Sequence, residues 1–219
     1  MLLNHHPDTS TIMAYAAGTV TEGLSLVLAA HFEFCSQCRA DVNEAEHIGG
    51  DLFSRLPPSR LSWDSLANAL EAIAISPGVE QVQRPVGDGG DLPLVLHPFF
   101  PTGLAGVRWR RLIPGFKQQM LDGVDNGEGS IRLLHISPGT QVPQHTHGGS
   151  EITLVLQGSY SDETGQYRRG DLSDMDPSVL HQPVVDSEQP CICLIATDER
   201  LKFSGALNRI IRPLVGRNN

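Results

Sequence analysis

Over the first seventy-five residues apolar positions recur at helical spacing, and from Val107 onward they recur at strand spacing. Ile12 to Ala17 follow Asp8, Thr9 and Ser10, all good helix caps, and Gly18 can end that helix. Thr19-x-x-Glu22 has the form of a capping box ahead of the apolar segment Leu24 to Ala30. A third helix is predicted from about Cys35 to His47, stopping at Gly49-Gly50, and Pro57-Pro58 breaks the chain again. Ser62 caps a fourth, in which Leu66, Ala69, Leu70 and Ile73 share one face before Ser76-Pro77-Gly78. The stretch from Val79 to Pro98, centred on Gly87-Asp88-Gly89-Gly90-Asp91, has no periodicity and reads as a linker. Beyond it, Val107 to Leu112, Phe116 to Leu121, Ile131 to Ile136, Ile152 to Leu156 and Ile192 to Ala196 are short apolar or alternating runs. Turn residues separate them at hairpin-like spacing, which predicts a closed sandwich or barrel. The chain therefore divides into a helical domain over 1–78, a linker over 79–97 and a β domain over 98–219.

Composition narrows the function classes. The formal charge of −9, with no Lys/Arg-rich segment, argues against direct binding to nucleic acid. No apolar run is long enough to cross a bilayer and no secretory signal is evident, so the expected location is the cytoplasm. In that compartment Cys35-x2-Cys38 reads as a metal or redox motif rather than a disulfide.

His31 precedes that pair as His31-x3-Cys35-x2-Cys38. On one continuous helix the three residues share a narrow stripe. If the helix breaks near Phe34, the cysteines instead open the next helix, whose N-terminal dipole favours thiolates. Either geometry places two sulfurs and one imidazole around Zn²⁺, whose fourth ligand His5 or His6 can supply. A helical domain with this motif resembles the zinc-dependent anti-sigma factors. The resemblance implies ligands His6, His31, Cys35 and Cys38, and a partner in a group IV (extracytoplasmic-function) sigma factor held in a one-to-one complex.

A second constellation lies in the β half. Gly139-x5-His145-x-His147-x3-Glu151-x6-Gly158 matches the first cupin motif at every defined position, and residues 145, 147 and 151 share the parity that faces them into a barrel. His181, eleven residues after Gly170, falls in register for the remaining ligand, although the second cupin motif is degenerate at Asp176, Ser178 and Val185. His145, His147, Glu151 and His181 suit Zn²⁺ or another divalent transition metal. The expected fold is thus a multidomain α plus all-β chain, a zinc-binding bundle of about four helices followed by a single cupin β-barrel or jelly roll.

That order of domains resembles the ChrR type of anti-sigma factor. The resemblance implies sigma-factor inhibition by the helical domain, release under singlet oxygen or related oxidants sensed through the cupin, and no catalytic residues. Two other readings fit the same residues: a cupin dioxygenase or isomerase with a helical assembly domain, and a zinc-stabilised adaptor for some other protein. Cys191 and Cys193 alternate on one strand and face one side, as core residues or as an oxidant-sensitive pair inside the barrel. His47 is expected at a helix C-terminus, His97 and His135 as structural residues, and Trp63 and Trp109 as core anchors.

Overall fold

Four helices and nine strands follow one another along the described residues: α1 (Thr9–Ala16), α2 (Glu22–Phe34), α3 (Ser36–Ser54), α4 (Ser65–Ile75), β1 (Arg110–Ile113), β2 (Phe116–Met120), β3 (Ser130–Ile136), β4 (Glu151–Gln157), β5 (Ser159–Asp162), β6 (Gly165–Arg168), β7 (Leu172–Met175), β8 (Val184–Val185) and β9 (Cys191–Thr197). The computed structural model describes residues 3–76, 91–121, 123–124, 129–145, 149–175 and 179–198. None of its helices is long and apolar enough to cross a membrane.

The helix boundaries differ from the sequence expectation in instructive ways. At α2 the capping oxygen belongs to Thr21, which accepts from the Leu24 amide at 3.5 Å, rather than to Thr19. The Asp8 side chain does not cap α1. The carboxylate of Asp174 on β7 takes that role, accepting from the Asp8 amide at 3.1 Å and the Thr11 hydroxyl at 2.6 Å. α3 runs through Gly49-Gly50 to Ser54, so His47 is an exposed mid-helix residue rather than a C-terminal one. Two helical glycines cost roughly 1 kcal/mol each, which weakens this end of α3 without stopping it.

In the β half, six strands form one antiparallel sheet in the order β1-β2-β3-β9-β4-β7, faced by a three-stranded sheet β6-β5-β8. Parity sorts the side chains. Ile131 and Leu133, Ile152, Leu154 and Leu156, and Ile192, Leu194 and Ala196 turn outward and meet Leu24, Val27, Leu28 and Phe32 of α2 in one core. Ile136, Val155, Cys191, Cys193 and Ile195 turn inward with Tyr160 and Tyr167. β9, central in the sheet, is buried on both faces, which is why it reads Cys-Ile-Cys-Leu-Ile-Ala-Thr without alternation.

The two halves therefore share a wall. Of the expected linker, 79–90 lie outside the described residues, whereas Leu92 and Leu96 are buried in the common core. Glu33 of α2 holds that segment by accepting from the amides of Leu94 and Val95 at 2.7 and 2.8 Å. α4 and the end of α3 do the opposite. Phe53 and Trp63 are 76% and 101% exposed, and α4 has no buried residue, so the expectation of Trp63 as a core anchor is wrong. Trp109 is partly buried and stands edge-on to His135.

Candidate metal centres and the barrel cavity

α2 ends at Phe34, and Cys35 adopts extended backbone (φ −112, ψ 105) before α3 begins. The second of the two geometries above is thus realised, with the Cys35 sulfur accepting from the Cys38 amide at 3.4 Å as the cap of α3. The segment before α1 folds back and brings His6 to the same point. His6 Nδ1 lies 3.4 Å from Cys35 Sγ and 3.3 Å from Cys38 Sγ, and His31 Nε2 lies 3.4 Å from Cys38 Sγ. Zn–S and Zn–N bonds of about 2.3 and 2.0 Å at a tetrahedral angle put N and S about 3.5 Å apart, so this spacing fits one shared cation. His6, His31, Cys35 and Cys38 are a group that could hold a metal ion. His5 turns away, stacking on Tyr167 at 4.0 Å and donating from Nε2 to the Gln166 carbonyl at 3.1 Å.

Burial drives the His31 pKa down to about 4, against a smaller opposing effect of the Gly170 carbonyl. The ring is therefore neutral at pH 7. A carbonyl can only accept, so the 2.9 Å contact with Gly170 fixes the proton on Nδ1 and leaves the Nε2 lone pair for a metal. Burial, with Cys35 as a second cause, pushes the Cys38 thiol up to about 12. A metal entering here must displace that proton.

The barrel end of the same interface is one turn. Gly170, at φ +90, presents its carbonyl to His31, and a Cβ there would come within 2.8 Å of Leu3 Cδ2. Asp171 is buried and accepts from three backbone amides: Asn4 at 2.8 Å, His5 at 3.2 Å and Arg168 at 2.9 Å. Arg169 stacks its guanidinium over Phe34 at 5.3 Å.

His145, Glu151 and His181 all line one cavity of about 120 Å³ inside the barrel, and His147 lies outside the described residues. His145 and His181 pair across an antiparallel bridge, their rings 4.6 Å apart. Each ring has its Nδ1 proton assigned by a neighbour: His145 donates to the Pro143 carbonyl at 2.8 Å, and His181 to Asp162 Oδ2 at 2.9 Å. Both Nε2 atoms are thereby left as acceptors, the tautomer a metal needs. Burial tends to raise the Asp162 pKa, but hydrogen bonds from His181 and Thr164 outweigh it and hold the carboxylate ionised.

Cys191 and Cys193 both face the barrel interior, their sulfurs 3.6 Å apart, and Cys193 lines the cavity. The neighbouring Cys191 and burial together push the Cys193 thiol well up, so it is an unreactive thiol at neutral pH. Two functional residues escaped the sequence reading. Asp162 sits on a short polar strand with no motif around it. Arg132 shares the parity of Leu134 and Ile136, and an arginine at an inward position of an alternating strand is the signal that marks it.

Residues 102–200 match the family described as the ChrR Cupin-like domain. The Anti-sigma-E factor ChrR of Cereibacter sphaeroides is 38% identical over 216 residues, covering 97% of this chain and 98% of that protein. The crystal structure of Rhodobacter sphaeroides SigE in complex with the anti-sigma ChrR is similar at a TM-score of 0.75 and 38% identity, over 90% of this chain and 100% of the matched chain.

Proposed function

The chain belongs to the ChrR family of anti-sigma factors, and from that premise we propose that it binds and inhibits a group IV sigma factor, one to one, in the cytoplasm. The observation that carries this reading is the uncovered apolar surface of the helical half. Leu52, Phe53 and Leu56 at the end of α3, then Leu61, Trp63, Leu66, Leu70, Ile73 and Ile75 on and before α4, are all exposed. Soluble proteins rarely leave so many large apolar side chains uncovered within about twenty-five residues, and an eleven-residue helix that buries nothing has no tertiary support of its own. A sigma factor laid over this surface supplies the missing burial.

The domain division 1–78, 79–97 and 98–219 is kept as a functional one, with the helices inhibiting and the barrel sensing. Zn²⁺ is the cation we assign to His6, His31, Cys35 and Cys38, because two sulfurs and two imidazoles are its preferred tetrahedral donors. Zn²⁺ or another divalent transition metal is assigned to His145, His147, Glu151 and His181, supported by the Nδ1 partners of His145 and His181. Release under singlet oxygen or related oxidants is assigned to the barrel. Its route to the helices is the β5–β6 hairpin, which carries Asp162 against His181 at one end and leads into the Gly170-Asp171 turn at the other.

Titration of the full chain with a purified group IV sigma factor tests the reading. Trp63→Ala and Phe53→Ala should each weaken binding about thirtyfold or more, the loss of an interface hot spot, while zinc content and melting temperature stay as in the parent. A full chain that binds no group IV sigma factor, or variants that bind like the parent, would reject it.

A further inference from the structure

Arg132 is a buried cation that neither metal centre uses. It is 5% exposed, and its Nη1 has no hydrogen-bond partner. Among the described residues no carboxylate comes within ion-pair distance of its guanidinium. Burial pulls its pKa down and Glu151 opposes this only through space. An arginine does not deprotonate in a protein, so the charge stays. A structural arginine in such a place turns its fork onto backbone carbonyls or a carboxylate, because a bare buried charge is strongly unfavourable.

The guanidinium instead lines the barrel cavity. Thr153 lies in the same row two strands away, across Ile195. Apart from the candidate ligands and the polar side chains of Gln118, Tyr160 and Ser173, the walls are mostly apolar, with Leu112, Phe116, Leu134, Ile136, Val142 and Val185. A few polar groups in an otherwise apolar cleft is the usual composition of a small-molecule site. The volume of about 120 Å³ compares with about 150 Å³ for an engineered cavity that holds benzene.

We infer that this cavity binds a small organic carboxylate with a compact apolar body, its carboxylate received by the fork of Arg132. The planar fork matches a carboxylate bidentately, and the apolar walls take a ring or a branched chain of similar bulk. The inference rests on the proposed barrel metal in one respect: with Glu151 engaged by a cation, the guanidinium is the charge left to neutralise. A ligand seated here would touch the walls on which His145 and His181 stand, and so reach the sensing site directly.

Benzoate is a suitable probe, with benzamide as its neutral isostere. Calorimetric titration and melting of the full chain should show saturable benzoate binding, at least tenfold tighter than benzamide. Arg132→Met, which replaces the charge by an apolar side chain of similar length, should keep the fold and lose that preference. If Arg132→Met fails to fold, Val142→Phe, which enlarges another lining side chain into the cavity, should abolish benzoate binding instead. No benzoate binding, equal affinity for benzamide, or unchanged binding in whichever variant folds overturns the inference. Metal content separates this from the metal reading. Two metal equivalents per chain without benzoate binding would sink the ligand alone. One equivalent, with benzoate still dependent on Arg132, would sink the barrel metal and with it the role given to Glu151, and leave the Arg132 site standing.

Discussion

At the scale of single residues, both candidate metal centres are arranged by atoms outside their own donor sets. His31, His145 and His181 each have Nδ1 engaged, by Gly170, Pro143 and Asp162 respectively, so that Nε2 carries the lone pair in all three. Gly170 does two things in this scheme, since its positive φ aims the carbonyl and its missing Cβ leaves room for Leu3. Gly170→Ala should therefore cost about 1–3 kcal/mol in chemical denaturation, and a value near zero would show that the turn relaxes freely. The convergence of His31, Cys35 and Cys38, and the shared cavity of His145 and Glu151, were legible because metal-binding chemistry demands fixed residue types at fixed spacing. Trp63 was misread for the opposite reason: hydrophobicity reports that a side chain wants cover, without saying whether its own chain provides it. Arg132 was missed because a single charge in a strand carries meaning only once the inward face is known.

At the scale of elements, β3, β4 and β9 stand close to where their apolar runs placed them. The hairpin β5–β6, reading Ser-Tyr-Ser-Asp and Gly-Gln-Tyr-Arg, was invisible because its polar positions serve hydrogen bonds rather than a core. Yet this hairpin runs from the Asp162–His181 contact to the turn whose Gly170 carbonyl accepts from His31. Asp162→Asn removes the charged partner of His181 while keeping its shape. Barrel metal affinity should fall 10–100-fold, with the metal at His6, His31, Cys35 and Cys38 retained and sigma-factor binding intact, while oxidant-driven release is lost. Equal loss from both centres in metal analysis, or normal release, would contradict the assigned route.

At the scale of the molecule, the two classes of secondary structure follow one another as expected, and one core spans both halves. α2 looks from sequence like one helix of a small bundle, but its buried face is completed by β3, β4 and β9. Polar docking contacts such as Asp174 to Thr11 and Asp171 to Asn4 leave no pattern in sequence, since an aspartate in a short strand or a turn has many possible partners. One consequence is measurable. With Trp63→Phe leaving Trp109 as the sole indole, barrel fluorescence and helical circular dichroism should melt together, and Leu28→Ala, costing about 2–5 kcal/mol, should shift both equally. Two separated transitions would mean that the shared wall is weak. A further consequence of that wall is thermodynamic reciprocity. If the state of the barrel alters the grip on the sigma factor, the sigma factor must alter the barrel's affinity for its own ligands by the same factor. The captive is then an effector of its captor, tuning how readily the signal that frees it is received.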